Sequence, residues 1–169
     1  LKRIAKNGGV VMVNFFPGFI DKNVIAAARE REARLKPQLD ELAAKYKDDP
    51  DRLSEERNKL FSAHPLPPTP LSVLIEHFDH IAKVAGVDHV GIGSDFDGVP
   101  SLPVGMEDIS KLPNITYELL KRGYSEKDVK KILGENFMRA FAQAERVAQA
   151  SSGRLSSEGS VKRISAEKK

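Results

Sequence analysis

The sequence contains no cysteine, and this absence excludes disulfide bonds and metal sites built from thiolates. Long apolar runs are also missing, since none approaches the roughly 20 residues that a membrane-spanning helix needs, and the first residues do not resemble a secretory signal. The formal net charge of +3 is small beside 27 basic and 24 acidic residues, so nucleic-acid binding gains little support. We expect a soluble protein without a membrane span, and the composition favours a reducing compartment such as the cytoplasm.

Two apolar runs predict buried strands. Residues 10–16, VVMVNFF, follow the turn signal of residues 7–9, and residues 89–96, HVGIGSDF, form the second run. Both are rich in β-branched or apolar residues without polar alternation, which is typical of parallel strands covered on both faces.

A highly charged segment, residues 21–64, separates the two runs and predicts a helical hairpin. Its apolar residues recur at helical spacing among many Arg, Lys and Glu. Asp49 and Pro50 predict the cap and first turn of the second arm. Pro37 predicts a kink or restart in the first arm, because an internal proline costs a helix about 3 kcal/mol.

Two more helices follow the hairpin. One begins at Thr69 and ends at Gly86, and another starts from the capping box at residues 125–128 and continues through Phe141. The order of strands and helices predicts an α/β fold of parallel strand–helix units. Residues 149–169 are rich in Ser, Gly and Lys, so we expect a disordered tail there.

Two strands are too few for a finished parallel sheet. The chain also begins at Leu1 and enters an amphipathic stretch without a cap or turn. We therefore expect the chain to be a truncated part of a larger α/β domain.

The segment GIGSDFDGV, residues 91–99, carries the candidate site. Asp95 and Asp97 come directly after a predicted buried strand, at the edge where α/β folds bind ligands. The alternative is that both are turn or cap residues. The neighbouring Gly98 favours that alternative for Asp97, whereas for Asp95 the residues leave both interpretations open.

The histidines are weaker candidates. His77 and His80 have H-x-x-H spacing on one helix, but they flank the apolar Phe78 and lack the H-E-x-x-H pattern of helical zinc sites. Packing is the favoured interpretation. His89 precedes its strand, where a structural role is expected, and His64 in the proline-rich linker has no assigned role.

Three blocks resemble the renal or membrane dipeptidase family of zinc peptidases. They are GGVVMVNFFPGFI, HFDHIAKVAGVDHVGIGSDFDGV and GMEDISKLPNITYELLKRGYSEKDVKKILGENFMRAF. The last two are specific, because GSDFDG, GMEDISK and the capped helix follow one another in this order.

The resemblance implies a (β/α)8 TIM-type barrel, with strands seven and eight in residues 1–148 and residues 21–64 as a helical insertion. It implies two zinc ions per complete enzyme, held by an H-x-D pair, a bridging Glu and two His on earlier strands, so we expect no metal ligand in this chain. It also implies that Asp95 is the catalytic and substrate-binding carboxylate and that Phe19 lines the substrate pocket.

The function implied is hydrolysis of dipeptides by a zinc-activated hydroxide, with Asp95 binding the free amine or relaying a proton to the leaving nitrogen. We expect these 169 residues alone to be inactive. Two alternatives stay open: a non-catalytic interaction domain from a truncated enzyme, and another amidohydrolase-like hydrolase or deaminase. A C-terminal lipid anchor is not expected, and the sequence leaves a homodimer open.

Overall fold

The computed structural model describes the backbone of residues 1–166 and the side chains of residues 1–151. This helix-rich α/β fold has two paired strands within the described residues, β1 (Val11–Asn14) and β2 (Val90–Ser94). The helices are α1 (Lys2–Lys6), α2 (Pro17–Ile20), α3 (Lys22–Lys45), α4 (Pro50–Ser62), α5 (Leu71–Ala85), α6 (Pro113–Lys121), α7 (Glu126–Lys130) and α8 (Asn136–Ala166). Among these described helices, none is both long and apolar enough to cross a bilayer.

Two strands form where the sequence predicts them and run in the same direction, but they are shorter than the apolar runs and only partly buried, with Met12 of β1 41% exposed. His89 Nδ1 lies 2.7 Å from the carbonyl oxygen of Gly9 before the strands begin. Further along both strands, the side chains of Val10 and Met12 lie against Gly91, where an added Cβ would come within 2.6 Å of the Met12 sulfur. Gly91 therefore allows the close approach of a neighbouring side chain.

The chain divides into two compact units. The first comprises Leu1–Val13, Asp79–Ile92 and Gly123–Lys169. The second comprises Asn14–Phe78 and Gly93–Arg122.

In the first unit, buried Asn136 supports the residues around the start of β2. Its Nδ2 donates to the carbonyl oxygens of Val87 at 2.7 Å and Val90 at 2.8 Å. Arg139 donates to the carbonyl oxygens of Gly8 and Asp88. The Asn136 bonds satisfy main-chain acceptors next to β2, where an unpaired buried group would be costly, whereas the Arg139 bonds are exposed.

One helix of the first unit differs from the sequence prediction. The predicted N-cap at Ser125 forms, with Ser125 Oγ accepting from the Asp128 backbone, but the predicted continuous helix through Phe141 is interrupted. A π-helical turn at Lys131–Glu135 leaves helical geometry at Gly134. The break lies just before Asn136, which is buried against β2. Glycine is about 1 kcal/mol less favourable than alanine in a helix, so little helical stability is lost when the chain leaves helical geometry at this residue.

The backbone of α8 continues to Ala166, into the segment 149–169 for which the sequence predicts disorder. Residues 167–169 and the side chains after Ser151 lie outside the described part of the chain. Disorder of this segment stays a prediction.

In the second unit, α3 and α4 form the two arms of the predicted hairpin. The first arm is one helix that passes through Pro37, so the predicted restart there is not found. Asp49 caps α4 by accepting from the Arg52 backbone, as predicted. At the start of α3, the Asp21 side chain caps the helix and also accepts a buried hydrogen bond from Thr69.

An ion pair in the first unit predicts a pH-dependent contribution to stability. Lys131 Nζ lies 2.7 Å from Asp88 Oδ1, and its hydrogen bond holds the pKa of Asp88 below the ordinary value of 3.8. A lowered carboxyl pKa stabilises the fold above about pH 3.8, and this contribution is lost as the pH falls through the folded-state pKa. Denaturant unfolding should therefore show that Asp88→Asn slightly destabilises the protein at pH 7 and that the difference shrinks on acidification.

The matched control is Lys131→Met, which removes the partner. In that background Asp88→Asn should have a smaller effect at pH 7, since only the charges of Arg139 and His89 remain near Asp88. An equal loss with and without Lys131 would show that the pair does not act as described.

Candidate active site

Asp95 directly follows β2 and has an unfavourable backbone conformation. Its φ is +112°, and φ of the preceding Ser94 is +51°. Non-glycine residues rarely adopt such angles, which cost about 1–3 kcal/mol each and cluster at functional sites. The strain favours the functional interpretation of Asp95 over the simple turn interpretation.

Hydrogen bonds connect the ends of the two strands around this carboxylate. Asn14, the last residue of β1, donates from Nδ2 to Asp95 Oδ2 at 2.8 Å. The Phe16 backbone N–H donates to Asn14 Oδ1 at 2.7 Å. The Phe15 backbone N–H donates to the Ser94 carbonyl oxygen at 2.9 Å. A main-chain hydrogen bond therefore joins the two strand ends next to the side-chain hydrogen bond between Asn14 and Asp95.

The loop after Asp95 turns back at Gly98. The Gly98 backbone N–H donates to the Asp95 carbonyl oxygen at 3.3 Å. A Cβ added to Gly98 would collide with Asp95 Oδ1, so only glycine leaves room for this position of the carboxylate. Asp97 is exposed within the loop, which agrees with its predicted turn role.

Aromatic rings lie on the β1 side of the site. Phe15 is fully buried and meets Phe96 edge to face, with ring centroids 5.6 Å apart. Phe16 packs edge to face against Phe19 at 5.1 Å. Phe19 itself is 68% exposed, so its ring is accessible for contact with a ligand. Its role in lining a pocket stays a prediction.

The segment 104–108 follows the loop and caps the next turn. The Asp108 side chain accepts from the Ser110 backbone at 2.8 Å. The Glu107 side chain accepts from the Gly105 backbone, and this hydrogen bond holds the pKa of Glu107 below its ordinary value.

Three of the four histidines lie within hydrogen-bonding distance of main-chain oxygens. His77 Nε2 lies 2.9 Å from the Ile20 carbonyl oxygen, and His80 is exposed. His64 Nδ1 lies 3.0 Å from the Leu60 carbonyl oxygen. In the part of the chain that the structure describes, no three His, Asp or Glu side chains come together in a way that would hold a metal ion.

Asn14 is the site residue that sequence reasoning missed. The one signal for it was a polar side chain at the end of an otherwise apolar strand, on the edge that Asp95 shares. That signal alone does not separate a hydrogen-bonding partner of Asp95 from an ordinary strand end.

These features define an α/β protein with a carboxylate held at the end of β2, one of two paired strands. The family model for membrane dipeptidases, peptidase family M19, matches residues 1–154. The chain belongs to the membrane dipeptidase family.

Two solved structures are similar to this chain. The probable dipeptidase PvdM from Pseudomonas aeruginosa is 28% identical, with a TM-score of 0.60 over 81% of this chain. The dipeptidase AC, described as a metallopeptidase, is 23% identical with a TM-score of 0.51 over 79% of this chain and resembles it in fold. The chain spans 37% and 28% of the lengths of these two proteins, respectively.

The close contact at Gly98 generates a direct prediction. Gly98→Ala should displace the Asp95 carboxylate but destabilise the protein by no more than about 0.5 kcal/mol, because Gly98 is exposed and the atom that its Cβ would meet is the end of a side chain. A crystal structure and denaturant unfolding of the full-length protein would measure both effects. Ser101→Ala, at an exposed position of the same loop, is the control and should change neither. An unmoved Asp95 in Gly98→Ala would contradict the steric argument.

Proposed function

We propose that this chain supplies part of the active site of a metal-dependent dipeptidase and that Asp95 binds the free amine of the dipeptide. The observation that carries the proposal is the strained, hydrogen-bonded carboxylate at the end of β2 in a chain of the membrane dipeptidase family. Functional carboxylates are found at this end of parallel strands.

The proposed architecture is a (β/α)8 barrel in which β1 and β2 are the seventh and eighth strands. Support comes from the parallel pairing of the two strands, from the helices that follow each of them, and from the likeness to PvdM. In this arrangement α3 and α4 are an insertion between the two strands.

The proposed cofactor is zinc, as the family resemblance implies, with two ions per complete enzyme. The described residues do not fit a metal site, because no group of three suitable side chains is present among them. The proposal therefore assigns the metal ligands to residues outside this chain. What this chain contributes is the binding and orientation of the substrate.

Asp95 is suited to bind an ammonium group. Its Oδ2 accepts from Asn14, while Oδ1 accepts no hydrogen bond from the residues that the structure describes. A free dipeptide carries an α-ammonium group with three N–H donors, and charge-assisted hydrogen bonds to a carboxylate are roughly twice as strong as neutral ones. Binding through Oδ1 would fix the amino end of the substrate and thereby place its peptide bond.

The aromatic pair of Phe16 and Phe19 supplies an apolar surface in the same unit of the chain. The exposed ring of Phe19 is edge to face with Phe16, which limits its movement. We assign Phe19 to contact with an apolar substrate side chain. This would add binding energy through buried area without taking part in the reaction.

The proposal predicts that Asp95→Asn selectively impairs the hydrolysis of substrates with a free amine. In the zinc-loaded full-length protein, kcat/KM for an unblocked dipeptide should fall about 30-fold or more, because loss of one member of a buried charged pair costs about 2–5 kcal/mol. The N-acetylated dipeptide should be a poor substrate for the parent and should lose much less on substitution. Steady-state kinetics with both substrates measures the difference.

Asp97→Asn is the matched control, since Asp97 is an exposed acidic residue of the same loop. Its kcat/KM should stay within a few-fold of the parent, as is usual for exposed positions away from a site. A metal-loaded parent without dipeptidase activity would refute the proposed function and favour another hydrolase reaction, such as deamination, or an interaction role.

A further inference from the structure

We infer that Asn14 is a positioning residue that holds Asp95 with Oδ1 turned toward the substrate while leaving its negative charge intact. The inference rests on the proposed role of Asp95 as the amine-binding carboxylate. It assigns a function to a side chain that is 81 residues away in the sequence.

The orientation of the Asn14 amide is fixed from both ends. Its Oδ1 accepts from the Phe16 backbone at 2.7 Å, and its Nδ2 donates to Asp95 at 2.8 Å. A flipped amide would direct its oxygen at a carboxylate and its NH2 at a backbone N–H, so both hydrogen bonds would be lost. The backbone of the β1 end thus determines which group faces Asp95.

The position of the Asp95 carboxylate is also constrained. Oδ2 is occupied by Asn14, and Oδ1 lies against Gly98, where any side chain would collide with it. The backbone of Asp95 is in a conformation that residues other than glycine seldom adopt. Such strain persists only where the surroundings enforce it, and the Asn14 hydrogen bond is one of the contacts that Asp95 makes there.

The neutral character of Asn14 matters for binding. A Lys or Arg at this position would also hold the carboxylate, but it would form an ion pair and compete with the substrate ammonium. Among the described residues, Asp95 takes part in no salt bridge, and Asp97 is a further acidic group in its loop. An amide donor therefore orients the carboxylate while its charge stays free to attract the ligand.

A double-mutant cycle tests whether Asn14 acts through Asp95. The full-length zinc-loaded protein would be compared with Asn14→Leu, Asp95→Asn and the double variant on an unblocked dipeptide. Asn14→Leu should lower kcat/KM on the order of 10- to 100-fold, as expected for a misplaced substrate-binding group. The double variant should be no worse than Asp95→Asn, because the positioning residue has nothing left to position.

Asn136→Leu is the matched control, since Asn136 also uses its amide to support a strand end but donates only to main-chain oxygens. It should lower stability, and any loss of activity should add to that of Asp95→Asn. Additive losses from Asn14→Leu and Asp95→Asn would overturn the inference, because a merely structural residue behaves in that way.

Crystal structures separate failure of this inference from failure of the proposed function. If the parent does not hydrolyse dipeptides, the proposed function fails, but Asn14→Leu should still show the Asp95 carboxylate rotated from its place beside Gly98. An unmoved carboxylate in Asn14→Leu would overturn the inference whatever the activity. If Asn14→Leu does not fold, Asn14→Ser provides the same test with a smaller polar side chain.

Discussion

The backbone hydrogen bond from Phe15 to Ser94, 2.9 Å long, joins the ends of the two strands, and the geometry of the candidate site depends on it. It brings Asn14 beside Asp95, so that a side chain from one strand can orient a side chain from the other. The positive φ of Asp95 and the absence of a side chain at Gly98 then determine where the carboxylate lies. The site is therefore a consequence of strand pairing, with few side chains involved.

Local signals in the sequence were sufficient to predict the main elements. The apolar runs became β1 and β2, and the caps at Asp49 and Ser125 form the hydrogen bonds that their residue types predict. These features depend on neighbours within a few residues, so one sequence contains them. Pro37 shows the limit of local rules, because α3 continues through it.

The contacts that define the site could not be predicted in the same way. Asn14 and Asp95 are 81 residues apart, and their hydrogen bond depends on strand register and on a strained backbone that no local pattern specifies. The break at Gly134 likewise follows from burial of Asn136 against main-chain oxygens that are distant in sequence. The spacing of His77 and His80 predicts that the two side chains are neighbours on one helix. Only the tertiary structure shows that His77 contacts the backbone carbonyl of Ile20.

The most direct test of the central claim is a crystal structure of the full-length protein with a non-hydrolysable phosphinic dipeptide analogue bound. The ligand's ammonium nitrogen should lie about 2.7–2.9 Å from Asp95 Oδ1, the usual distance for such a charge-assisted hydrogen bond, while Asn14 still donates to Oδ2. An ammonium group bound elsewhere, with Oδ1 making no contact with the ligand, would contradict the assignment of Asp95 as the amine-binding carboxylate.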